Sequence, residues 1–447
     1  MHSGAPFRSI FAVSLTACLV AVALAPAVVA ADAPAAPAAG EWQKFKGKPE
    51  PLAPVPAFAT PASFLPRPER TVTFPAGGLA IDLPLEAALP DGRPIKAAVQ
   101  PNRTLWIDLD GDGKPASTER FNPSQTGYGP ITLPLKYKNE TTAPYSFHLI
   151  ANTTPGAYRL VTGQMIRYSV TWNRRALTLI LIDQNNNGRY DEPGEDVVLV
   201  DSRPGGFLSK TVTVGSDTGT VLEIVVYADG TTIELRDYTG DTGILDPVGG
   251  YTPASSGVAL SYLAAESDLA RPGFSATFPR ARVPVGSYGF SGAVLVNGKE
   301  NVRVERGGLP PAAVTKDATV KMAWGGEVQV KYGFRREGDN LVFDNFQIVG
   351  KDHQEIYRPL PPMTIAFNYH VDETTTANGP MTGMIATTQS ITFAAGALES
   401  DGVAGWKPLL VKHKNRKMAL TFYGTYSSGV MGSIRLKDNF EFNPPAP

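Results

Sequence analysis

Three aspartates stand at alternate positions in "WIDLDGDGKPASTERF", residues 106–121: Asp108, Asp110 and Asp112. Gly113 follows, and Glu119 closes a twelve-residue window. The order fits D-x-[DN]-x-[DN]-G-x5-E in full. Ca²⁺ takes roughly six to eight oxygens at about 2.3–2.6 Å, and a curled loop aims alternate side chains inward to supply them. Gly113 permits the sharp turn, Lys114 offers its main-chain carbonyl, and Glu119 can give two carboxylate oxygens. Asp and Gly clusters also close ordinary hairpins. A hairpin turn, however, does not need three acids in this register, and three close carboxylates repel one another unless a cation or water screens them.

The pattern recurs in "LILIDQNNNGRYDEPGEDVVLVD", again directly after an apolar run. Asp183, Asn185 and Asn187 take positions 1, 3 and 5, and Gly188 takes position 6. Arg189 at position 7 offers its carbonyl, and Asp191 sits at position 9. Position 12 is Gly194, so the bidentate glutamate is missing from its usual place; Glu192, Glu195 or Asp196 could substitute in a differently shaped loop. A third acidic group, Asp237, Asp241 and Asp246, lacks the spacing and reads as solvated loop.

The first stretch resembles the calcium loop of EF-hand and dockerin-type modules, over these twelve residues alone. The flanks depart from it: "RTLWI" is β-rich, and Pro115 with "FNPSQTGYGP" opposes an exiting helix. The resemblance therefore implies the ligand geometry and not helix-loop-helix. The second stretch resembles the shorter loops of thrombospondin type 3 repeats. Both resemblances imply structural Ca²⁺.

The elements that must position these loops read as strands. "RTLWIDLD", "QMIRYSVTW", "ALTLILID", "DVVLVD", "VLEIVVYAD" and "TTIELRDY" are rich in Val, Ile, Thr, Leu and aromatics and bounded by turn formers. In "MIRYSVTW", Ile166, Tyr168, Val170 and Trp172 form the expected core face. Asp229-Gly230 marks a hairpin. A second strand-rich region starts near Gly273. "TPGAYRL" with Tyr158 and "PVGSYGF" with Tyr288 resemble the strand start of prealbumin-like and carboxypeptidase-regulatory-like β-sandwiches. The expected fold is all-β: two or three antiparallel β-sandwich-like regions with little helix. The expected divisions are a signal peptide over 1–31, an Ala/Pro-rich tether over 32–70, a calcium-loop domain over 71–250, a linker with a short helix in "ALSYLAAESDLA" over 251–272, and the second β-rich region over 273–447.

Composition sets the compartment. Among 447 residues, 41 basic and 42 acidic side chains give a net charge of −1, so no field draws in nucleic acid. Gly (44) and Pro (39) make up about a fifth of the chain, against about 12% in average usage, so turns are dense. Arg8, the apolar "SIFAVSLTACLVAVALA" and the small residues of "AVVAADAP" form an export signal. The single cysteine, Cys18, lies inside it; "LTAC" also resembles a lipobox, which would anchor the chain by lipid. Cleavage near Ala30 leaves a chain without disulfides, to be stabilised by core packing or bound ions. No later run reaches the length of a membrane span.

Nucleophile elbows, HExxH, P-loops and dinucleotide fingerprints are absent from the sequence. His148, His353, His370 and His413 are scattered; His370 lies two residues from Asp372. Trp106, Trp172, Trp324 and Trp406 suit core packing better than a sugar platform. The residues point to an exported, non-enzymatic, calcium-stabilised envelope or surface protein, with a surface partner or a glycan as its binding class. The alternative is a carbohydrate-binding module or secreted glycan hydrolase with structural calcium. No oligomeric state is implied.

Overall fold

The computed structural model describes residues 40–52 and 70–442, apart from 202, 216–218, 339, 361–362, 375–383, 394–408 and 413–416. The chain is all-β, with several antiparallel sheets in a sandwich-like arrangement and, among the described residues, no helix of seven or more residues.

Four sheets enclose the first core. Leu105–Asp108 lies between Lys96–Val99 and Arg120–Phe121. Thr142–Ala151 lies between Gly127–Lys136 and Ala157–Thr162. Arg175–Ile182 lies between Gln164–Trp172 and Val197–Val200. Thr220–Val226 lies between Thr211–Val214 and Thr232–Asp237. Period-2 alternation sends one face of each strand inward: Ile107, Leu133, Tyr145, Tyr168, Leu179, Leu222 and Ile233 join one cluster with no more than 1% exposure each. The expected face of Gln164–Trp172 is the buried one, with Ile166, Tyr168, Val170 and Trp172 all inward. Asp229 and Gly230 turn the hairpin between Thr220–Val226 and Thr232–Asp237; Gly230 takes φ +65° and Thr231 N–H donates to Asp229 Oδ1 at 2.9 Å.

The second region centres on Ala259–Glu266, Gly286–Asn297 and Glu300–Glu305, with Phe274, Phe290, Leu295, Val304 and Trp324 in its core. Tyr288 Oη donates to Pro284 O at 2.9 Å, which fastens the "PVGSY" strand start. The two regions meet through Ile182 and Val197 of the first and Tyr262, Ala264 and Val294 of the second.

Three of the expected divisions are corrected. The segment 251–272 is not a helical linker: Ala259–Glu266 is a strand paired with Gly286–Asn297. Its Ala and Leu residues favour helix only weakly, and burying Leu260, Tyr262, Leu263, Ala264 and Ala265 against a neighbouring strand outweighs that preference. The first region ends earlier than residue 250, because Thr242–Asp246 pairs with Ala281–Pro284 and, in parallel, with Thr319–Lys321. Nor are residues 32–70 simply a tether. Gln43–Lys46 adds to Thr232–Asp237, and Lys48–Pro51 adds to Gln164–Trp172, so one short segment borders two sheets. Pro-rich chain is already extended, and proline is tolerated on an edge strand. Gly47 makes the crossing: a Cβ there would lie 2.6 Å from Tyr168 Cε1. Phe45 packs its ring 6.3 Å from Trp172. The expected signal segment, Cys18, residues 32–39 and residues 53–69 lie outside the described residues.

Candidate metal centres

The first loop hangs from a fully buried strand. Leu105, Trp106, Ile107 and Asp108 are all buried, and Asp108 is the last residue paired across to Lys96. The chain then curls. Gly111 N–H donates to Asp108 Oδ1 at 2.6 Å, Asp112 N–H to Asp110 Oδ1 at 3.0 Å, and Lys114 N–H to Asp112 Oδ1 at 2.6 Å. Gly111 and Gly113 take φ of +81° and +70°, where a side chain would be strained. Each aspartate thus holds its own turn through one oxygen. Carboxylate oxygens of Asp108, Asp110 and Asp112 converge within 4.8 Å of one another. None of the three is ion-paired among the described residues. Nearby Arg93 is engaged with Asp91, at 2.6 Å, and with Leu109 O, at 3.4 Å.

Glu119 does a different job from Asp108, Asp110 and Asp112. It is 2% exposed, on a short 3-10 turn over Ser117–Glu119. Its Oε1 accepts from Leu109 N–H at 2.7 Å and Asp110 N–H at 3.2 Å; its Oε2 accepts from Trp106 Nε1 at 2.9 Å and Ala116 N–H at 3.1 Å. Burial opposes its charge, but these four donors outweigh burial and hold its pKa below the ordinary glutamate value. Glu119 therefore ties both ends of the loop to the strand and stands apart from the aspartate cluster. Lys114 contributes its N–H to the turn, and its side chain is exposed.

The second loop is buried where the first is open. Asp183 follows Arg175–Ile182 and has no exposed surface. Its Oδ2 accepts from Tyr145 Oη at 2.6 Å and Gly188 N–H at 2.7 Å, and its Oδ1 from Asn187 N–H at 3.2 Å. Asn185 Oδ1 accepts from Asn187 N–H at 3.2 Å, and Asn187 Oδ1 from Arg189 N–H at 2.9 Å. The amides of both asparagines reach Glu192 Oε2, Asn185 at 2.8 Å. Asp196 is also fully buried; its Oδ2 accepts from Glu192 N–H at 2.9 Å and its Oδ1 from Gln184 N–H at 3.4 Å. Arg189 and Asp191 face away from this group. The guanidinium grips the Asp191 carboxylate through Nε and Nη2, each at 3.0 Å.

Asp183 and Asp196 make no ion pair with lysine or arginine among the described residues. Burial raises the pKa of Asp183, and burial together with the Asp183 charge raises that of Asp196 well above the carboxylate range. Two such groups in one dry loop call for a proton or a cation to balance them. The acidic oxygens that converge as a cation site requires are those of Asp108, Asp110 and Asp112 in the first loop; the second loop holds Asp183, Asn185, Asn187, Glu192 and Asp196 in one hydrogen-bonded group without that convergence of carboxylates. All are oxygen donors, the set that a hard cation such as Ca²⁺ prefers.

Tyr145 was not legible as part of this group, because it lies 38 residues before Asp183 and only the sheet geometry brings it there. Asp237, Asp241 and Asp246 do not converge: Asp237 accepts from Trp172 Nε1, Asp241 pairs with Lys316, and Asp246 accepts from Gly249 N–H. Trp106, Trp172 and Trp324 are core residues. The side chains of His370, Asp372, His413 and Trp406 lie outside the described residues. No family model, curated protein or solved structure matches the chain.

Proposed function

We propose that this is an exported, non-enzymatic β-sandwich protein of the cell envelope or surface, with two loops that Ca²⁺ pins in place. The observation that carries the reading is the burial of Asp183 and Asp196 in one loop without a basic partner. The converging Asp108, Asp110 and Asp112 support it independently. The export signal around Arg8 and "SIFAVSLTACLVAVALA", and a chain whose only cysteine lies within it, supply the compartment and a reason for ion-based stabilisation. Calcium is abundant outside the cell, where structural sites bind at roughly 10⁻⁴ to 10⁻³ M.

Each loop joins strands of the first core rather than helices that could open. A bound cation there stabilises the folded state by linkage, by about 2.7 kcal/mol per site at a hundredfold excess over Kd. The function is then structural or adhesive. Thermal melts of the exported chain in millimolar Ca²⁺ and in chelator test it. The expected result is a rise in Tm of several degrees with Ca²⁺ and a smaller rise with Mg²⁺, which demands a tighter octahedral shell. Identical melts in Ca²⁺ and chelator would remove the calcium reading.

A further inference from the structure

Two arginines face each other on the main sheet of the second region with one carboxylate between them. Glu300–Glu305 pairs with Ile356–Leu360, and the register sets Arg303 directly opposite Arg358. Val302, Val304 and Tyr357 point into the core, so both arginines and Glu305 stand on the other face. From this juxtaposition we propose that Arg303 and Arg358 together bind a tetrahedral oxyanion, a phosphate group.

The charges around the pair do not cancel. Glu305 Oε1 lies 3.8 Å from Arg303 Nε and 2.8 Å from Arg358 Nε. It is the only carboxylate ion-paired with either arginine among the described residues, so two cations share one anion. The shorter contact does not use up a donor: Arg358 Nε–H points off the line to Glu305 and has no hydrogen-bond partner. Like charges directly opposite on neighbouring strands destabilise a sheet. The two side chains are only 26% and 30% exposed, so water screens them in part. Burial pulls the pKa of Arg303 below the ordinary arginine value; Glu305 opposes this and Arg358 adds to it.

The neighbouring strands sharpen the field. On one side Val294 pairs with Arg303 and packs with Ile182 and Val197 of the first region, an apolar wall that limits screening. On the other, Lys331 pairs with Gln347, next to Ile348, which pairs with Tyr357. Lys331 Nζ donates to the neutral Gln354 side chain, so its charge also stands uncancelled. A guanidinium fork matches an oxyanion bidentately. A planar carboxylate fills one fork, and Glu305 already takes that part. A tetrahedral phosphate presents oxygens in several directions and can meet both forks, and its charge of about −1.5 to −2 at neutral pH offsets the excess.

The test has two arms on the full exported chain in chelator: ³¹P NMR titration with inorganic phosphate, and co-sedimentation with vesicles carrying phosphatidate. Saturable binding in either arm is the expected result, and the arm that binds tells a free phosphate from a lipid-borne one. Binding should weaken about tenfold or more in Arg303→Gln/Arg358→Gln and tighten in Glu305→Gln, which removes the competing carboxylate. Arg174→Gln, on an exposed turn, should leave it unchanged. Should the double variant fail to fold, Arg358→Lys keeps the charge, loses the fork and should still weaken binding. No saturable binding in either arm, wild-type affinity in the folded double variant or in Arg358→Lys, or an equal loss in Arg174→Gln would each overturn the proposal. Neither arginine lies in the calcium loops and the titration needs no Ca²⁺, so its result stands apart from the calcium reading.

Discussion

Replacing Glu119 by glutamine separates two roles that its position at the end of the first loop leaves mixed. In the fold, its two oxygens accept four N–H hydrogen bonds, two each, from Trp106, Leu109, Asp110 and Ala116. Glutamine keeps the shape but turns one oxygen into an amide group that faces two N–H donors. Two hydrogen bonds to a charged acceptor are lost, each worth about 1.5–3 kcal/mol when buried donors are left without a partner. The loss should therefore be about 3 kcal/mol or more. For a cooperative unit of some 200 residues this lowers Tm by roughly 6–12 °C. The assay is a pair of thermal melts of Glu119→Gln against wild type, one in Ca²⁺ and one in chelator. Since the hydrogen bonds need no cation, the loss must appear in both. A Glu119→Gln variant as stable as wild type in chelator, and weaker only in Ca²⁺, would refute the assignment of Glu119 as the clasp and make it a cation ligand. The pH dependence follows with a definite sign. An unfolded glutamate titrates near 4.5 and the folded Glu119 lower. Its contribution is thus fully present above 4.5 and fades as pH falls through the lower folded value, and Glu119→Gln should lack that component.

Three further outcomes are expected. Asp196→Asn removes one of two buried acids: in chelator it should raise Tm, and it should shrink the gain from Ca²⁺, both read in the same melts. Tyr145→Phe deletes the 2.6 Å donor to Asp183 without changing shape and should cost about 1–3 kcal/mol by chemical denaturation. Gly47→Ala places a methyl 2.6 Å from Tyr168 Cε1 and close to Ile166 Cγ2; overpacking of this kind costs about 1–3 kcal/mol, seen as a lower denaturation midpoint, whereas a free tether would give no change.

What could be read from the chain was what period and spacing carry. The inward set Ile166, Tyr168, Val170 and Trp172 follows from alternation alone, and Asp229-Gly230 from turn chemistry. The convergence of Asp108, Asp110 and Asp112 follows from their spacing plus two left-handed glycines. What escaped was what the third dimension adds. The segment around Phe45 looks like a spacer because two sheet edges recruit it only after they form. "ALSYLAAE" has helical composition, but a strand partner at Gly286–Asn297 decides it. Asp191 stands at a ligand position by count, yet Arg189 two residues earlier draws it outward, while Glu192 accepts from the Asn185 amide and Asp196 from Glu192 N–H. Glu119 matches its motif and still turns its oxygens to three backbone N–H groups and the Trp106 indole, because the loop begins at a strand end with N–H groups to satisfy.

The most direct test of calcium as the loops' counterion is isothermal titration of the metal-free exported chain with Ca²⁺, repeated on Asp110→Ala/Asp112→Ala and on Asp183→Asn. The expected result is two sites in the wild type and one in each variant, with the variants losing different sites. Absence of binding heat, or two sites surviving in both folded variants, would contradict it.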